Sequence, residues 1–203
     1  MVKKEIIILS LEKKHEKRKI IAQSTCKLFI EKGYSNITIS ELARVAGIGK
    51  GTIYEYFTNK EDIIFELMAT LQDEYDLKLY KKLTTTESLK EKVVFLFDIF
   101  LGTDEKVKTQ RLIYKEFLSI YIHKKTTEMN KYNQNMMDKY KDILENMFKE
   151  AIKKNEISEI ALVFIPSIFA TFQGFFIMDE EKTVIYDYIE NLFKLFELKK
   201  ELE

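Results

Sequence analysis

Chain breakers are nearly absent from this sequence: 203 residues hold one Pro and six Gly. A sheet protein with many tight turns needs far more of both. Lys, Glu, Leu, Ile and Phe instead fill long uninterrupted runs, which predicts an all-α chain. Apolar residues make up 46% of it, enough to build a core, and the length allows one or two domains.

The helices can be placed from their apolar recurrence and their punctuation. The first dozen residues read as a loose leader. A first helix spans about 14–32, with Ile20, Ile21, Ala22, Cys26, Leu28, Phe29 and Ile30 at helical spacing, and Gly33 closes it with a left-handed cap. Thr38 and Glu41 form a Thr-x-x-Glu capping box that opens a second helix, with Leu42, Ala43 and Val45 inward. Gly47 makes a turn, and a third helix runs from about Gly49 to Phe57. Asn59, with Asp62 three residues on, caps a long helix to about Tyr80. Five more are expected near 88–101, 104–123, 126–154, 158–177 and 183–198, about nine in all. The 158–177 segment is apolar nearly all round and should be buried from several sides, with Pro166 marking a bend.

Two short helices joined by a glycine turn and followed by a capped third are the layout of a helix-turn-helix DNA reader. A reading helix must present small or polar groups at its N-terminal end, because bulk there holds the backbone away from base edges. Gly49-Lys50-Gly51-Thr52 meets that need: the glycines permit close approach, Lys50 can donate to guanine or phosphate, and Thr52 offers a hydroxyl and a methyl. Tyr54 and Tyr56 supply hydroxyls for phosphates, with Lys60 just beyond and Thr38 on the other side. Ile53 and Phe57 lie on the opposite face and belong to the small core. Glu55 is expected to point away from DNA.

Charge divides in the same place. Residues 1–60 carry 12 Lys+Arg against 6 Asp+Glu, and the remainder 21 against 27, so a basic head of +6 joins a body of −6. That asymmetry fits a polyanion partner for the first segment.

These residues resemble the TetR family of bacterial transcriptional regulators over about 50 positions, Ile20 to Met68. The likeness rests on Phe29-x-x-x-Gly33-Tyr34, on Thr38-Ile39-x-x-Leu42-Ala43-x-x-Ala46-Gly47, and on Lys50-Gly51-Thr52-Ile53-Tyr54-x-Tyr56-Phe57-x-x-Lys60-Glu61. It implies a homodimer in which each subunit has a three-helix reading head, here residues 1–60 with the leader. The larger helical regulatory and dimerisation domain is 61–203. It implies a repressor released from a palindromic operator by a small molecule, with Thr38, Lys50, Gly51, Thr52, Tyr54, Tyr56 and Lys60 as DNA contacts. Gly49 stands where the family commonly has Ser, which removes one hydroxyl.

Pocket residues cannot be carried over. The aromatic density of the later helices nominates Phe97, Phe100, Tyr114, Phe117, Tyr121, Phe164, Phe169 and Phe172 as walls for a lipophilic or flat aromatic ligand, with core packing as the alternative for each. Gln173 is a polar group for a ligand or a dimer seam, and Asp98 and Glu116 are candidate anionic partners, or plain surface carboxylates. By the same resemblance the last two helices form the dimer interface, and they are more apolar than one small domain can easily hide. Gly174 there would let helices approach closely.

No cofactor, structural metal or enzyme activity is expected. His15 and His123 lack neighbours at ligand spacing, and no catalytic triad, phosphate loop or carboxylate pair stands out. Cys26 reads as a core residue. A lone cysteine fits a reducing compartment, and no apolar run is read as long enough to span a bilayer, so a cytoplasmic protein is expected. One further reading remains, a helix-turn-helix adaptor that answers to a protein partner and needs no small ligand.

Overall fold

The structure is a computed structural model that describes residues 2–124, 126–178 and 181–197, with side chains from residue 11 onward. Among the described residues every regular element is helical. In chain order these are α1 (Val2–Ser24), α2 (Cys26–Lys32), a single 3-10 turn (Tyr34–Asn36), α3 (Ile39–Val45), α4 (Lys50–Tyr56) and α5 (Lys60–Thr85). There follow α6 (Leu89–Leu96), α7 (Asp98–Leu101), α8 (Glu105–Lys124), α9 (Thr127–Lys153), α10 (Ile160–Met178) and α11 (Lys182–Glu197).

Two of the expected helices are each split, so about nine become eleven among the described residues. Between α1 and α2 the Ser24 hydroxyl donates to the Ile21 carbonyl at 2.6 Å and the Thr25 hydroxyl to Ala22 at 2.7 Å. Short polar side chains that take backbone carbonyls compete with the helical ladder. Between α6 and α7 the Phe97 amide is shared between the Val93 and Val94 carbonyls, at 3.3 and 3.2 Å. The loose leader is also corrected: α1 starts at Val2, because Lys, Glu, Ile and Leu without Gly or Pro favour helix there as strongly as later.

The chain forms two compact units, residues 1–75 with 109–126, and residues 76–108 with 127–203. The first has a core of Ile21, Phe29, Leu42, Ile53, Phe57, Ile63 and Leu67, with Ile113 and Phe117 of α8, all buried. In the second, Met129, Met136, Tyr140, Leu144, Phe148 and Ala151 form the inward stripe of α9. Against it packs α10, through Ala161, Ile165, Ile168, Phe169, Phe172 and Phe176.

The sequence reading of membrane spans needs correction as well. Ile160–Met178 is long and apolar enough to cross a bilayer by length and composition, because its polar residues (Ser167, Thr171, Gln173) are all uncharged. One stripe of it packs in the bundle core, while Val163, Ile177 and Met178 lie largely exposed. The helix continues through Pro166, which sits at an exposed position.

Candidate nucleic-acid interface

The interface is built by caps. Thr38, in extended conformation, accepts the Glu41 amide on its hydroxyl at 3.3 Å, and the Glu41 carboxylate accepts the Thr38 amide at 2.9 Å. Lys32 reaches the same carboxylate at 2.6 Å. The Lys32 bond first, then the Thr38 amide and hydroxyl, holds Glu41 down from its ordinary 4.5 to about 2. The box thus closes reciprocally, and it fixes where α3 begins.

At its other end α3 stops in a Schellman turn. Gly47 takes φ +68°, its amide bonds Arg44 O at 3.2 Å, and the Ile48 amide reaches back to Ala43 O at 3.0 Å. Only glycine holds such a φ without strain. Gly49 returns to an extended conformation, φ −70° and ψ 152°, and N-caps α4.

That geometry leaves the start of α4 open. Lys50 and Gly51 are exposed and Thr52 is half-buried. A Cβ built on Gly51 would meet nothing within 4 Å, and one on Gly49 only Thr52 Oγ1 at 3.9 Å. Ile53 and Phe57 are buried on the far side, so α4 shows DNA-compatible groups outward and anchors itself inward. Tyr54 is 52% exposed, Glu55 exposed and Tyr56 half-buried.

Lys60 is placed differently from the other predicted contacts. Its ammonium donates to the carbonyls of Tyr34 and Ile37, at 2.9 and 3.1 Å, and lies 4.2 Å above the Tyr34 ring. It therefore satisfies the carbonyls around the 3-10 turn. The long helix α5 is capped as expected: Asn59 Oδ1 accepts the Asp62 amide at 2.8 Å, and Asp62 accepts the Thr58 amide at 3.0 Å.

Arg18 is a structural residue that sequence reasoning missed. Its guanidinium donates to the Tyr56 carbonyl and to Glu66 at 2.8 Å, and lies 4.4 Å over the Phe57 ring. It ties α1 to the C-terminal end of α4. The signal was present: position 18 falls on the same face as Ile21, Ala22 and Thr25, which the structure buries. Glu116 of α8, in the sequence a candidate ligand partner or a plain surface carboxylate, accepts the Tyr34 amide at 2.8 Å. Asp98, the other such carboxylate, pairs with Lys82 at 3.4 Å.

The aromatic candidates fall into three groups. Tyr114, Phe117 and Tyr121 stack along α8 within the first unit, with Phe65 against Phe117. In the second unit Phe97 lies face to face on Phe172, centroids 3.6 Å apart, with Phe169 and Phe100 around them. Phe164 meets Phe196 edge-on, and Gln173 is exposed, its amide 3.1 Å from Met137 Sδ.

Residues 21–67 match the sequence profile described as bacterial regulatory proteins, tetR family. That segment holds the capping box, the Schellman turn and the open start of α4. This segment is a TetR-type head. Beyond the head, the likeness is one of fold. The structure of the transcriptional regulator FadR from Bacillus subtilis in complex with stearoyl-CoA superposes with a TM-score of 0.59 at 21% identity, over 87% of this chain and 96% of that one. In sequence, the fatty acid metabolism regulator protein of Bacillus subtilis (strain 168) is 24% identical over 73% of this chain and 75% of its own length. The HTH-type transcriptional regulator YhgD of the same organism is 38% identical over 31% of this chain, and the matched part is 33% of that relative. TetR proteins are DNA-binding transcriptional regulators, some of them governed by small ligands, and the geometry of this head is that of a DNA reader.

Proposed function

We propose that this chain is a homodimeric repressor that holds a palindromic operator and lets go when a small lipophilic or aromatic molecule enters its helical body. The observation that carries the reading is the unobstructed Gly49-Lys50-Gly51-Thr52 start of α4, fixed by a cap on either side of the turn. Lys50, Gly51 and Thr52 are then the base-edge contacts. Thr38, Tyr54 and Tyr56 are phosphate contacts, and Lys60 contributes only by holding the 3-10 turn in place.

Dimerisation is supported by apolar surface in the second unit. Val163, Ile177 and Met178 of α10 and Val184, Tyr186 and Leu195 of α11 are exposed, and a Cβ on Gly174 would meet nothing within 4 Å. Exposed apolar area on two neighbouring helices is what a self-complementary interface buries. The ligand class follows from the body's interior, which offers rings and aliphatic carbon around Phe97, Phe100, Phe169 and Phe172. An acyl chain fits that chemistry, and a similar fold holds stearoyl-CoA.

Selection of bound duplexes from a random-sequence pool tests the reading. An inverted repeat with half-site centres about 34–36 Å apart, or a multiple of that, is expected for a two-fold dimer. Enrichment of a single unrepeated site, or none, contradicts it. Release of the selected duplex by stearoyl-CoA tests the ligand class. Release only by a protein fraction would favour the adaptor.

A further inference from the structure

Half of the ten cations between residues 11 and 60 are already engaged. Arg18, Lys19, Lys27 and Lys32 are ion-paired, and Lys60 is bonded to carbonyls. Lys13, Lys14 and Lys17 of α1 are exposed and have no ion pair among the described residues. At helical spacing these three share one sector of α1, and Glu12 and Glu16 turn to another.

That sector is continuous with the face that docks on the reading helix. Arg18 follows Lys14 by one turn, so their side chains lie one above the other. The Arg18 guanidinium is bonded to the Tyr56 carbonyl, which puts Lys14 beside the C-terminal end of α4. Lys13 and Lys14 in fact line a shallow depression together with Glu55 and Tyr56. Two unengaged ammonium groups therefore stand next to the one acidic side chain of the reading helix. Their charge outweighs it and extends the basic surface beyond the helix-turn-helix itself.

We propose that Lys13 and Lys14 form a second phosphate-binding element, which grips the DNA backbone beside the stretch that α4 reads. It rests on the DNA-binding function proposed above. The element positions and adds affinity, and it reads no sequence, because a flexible ammonium on phosphate is blind to the base.

The test is the salt dependence of binding of the full chain to a fluorescently labelled 30-base-pair duplex of mixed sequence. Removing one ammonium from a phosphate lowers the slope of log affinity against log salt by about 0.9. Lys13→Ala/Lys14→Ala should lower it by about 1.8 per subunit, while Lys13→Arg/Lys14→Arg should keep the wild-type slope. Lys106→Ala/Lys131→Ala, which removes two exposed cations of the second unit, should also leave it unchanged. If the wild type binds and the Lys13/Lys14 alanine variant keeps the full slope, the element does not exist. An equal decrease from Lys106/Lys131 would show an effect of net charge and overturn it too. If the wild type binds no duplex at all, the DNA-binding function itself falls.

Discussion

Thr38 and Glu41 show how much one pair of side chains decides. They set the first residue of α3 and, through the Schellman turn that follows, the direction in which α4 leaves. Thr38→Ala removes one half of the box and should destabilise the head by about 1 kcal/mol in urea unfolding. The carboxylate adds a pH signature. Glu41 is depressed in the folded head, so its stabilisation is complete above its ordinary 4.5 and is lost as pH falls toward about 2. Wild-type stability should drop across that window, and Glu41→Gln should flatten that part of the profile. Lys60 makes a different prediction from the one its position in the motif implies. Lys60→Ala should lower the melting temperature, because two carbonyls lose a charged donor worth about 1.5–3 kcal/mol each. A Lys60→Ala protein of unchanged stability and weakened DNA binding would restore Lys60 as a phosphate contact.

At the scale of elements, what could be read from sequence was what local chemistry encodes. The capping box, the Asn59 cap and the long periodic helices needed only nearest neighbours in the chain, and the structure has them where the pattern put them. The breaks at Thr25 and Phe97 were not legible. One depends on which carbonyls two hydroxyls choose, the other coincides with a ring that stacks on Phe172, 75 positions away. Arg18 and Glu116 stayed hidden for the same reason: their partners, Tyr56 and Tyr34, are distant in sequence. The glycines make this scale testable. Gly51→Ala should leave stability nearly unchanged, since its Cβ meets nothing within 4 Å, yet weaken duplex binding by holding α4 off the groove. Gly102→Ala should do the reverse and destabilise the second unit by about 1–3 kcal/mol, because its Cβ would stand 2.8 Å from Val107 Cγ1 and 2.9 Å from the Asp98 carbonyl.

At the scale of the molecule, the charge split and the apolar helices describe one division of labour. In the proposed function the basic head supplies attraction to DNA, and the body supplies apolar surface for a second copy. Val163→Asp should therefore shift the protein to monomer in light scattering while the helical circular dichroism is retained, since that side chain is 73% exposed in the single chain. The central claim is that the start of α4 reads base edges, and Lys50 is its test. The measurement is the ratio of affinities for the selected duplex and a mixed-sequence duplex, for wild type and Lys50→Ala. Loss of a base contact worth about 1–3 kcal/mol should cut that ratio about 5- to 150-fold at fixed salt. A Lys50→Ala protein with the same affinity for the selected duplex and the same ratio would contradict the account.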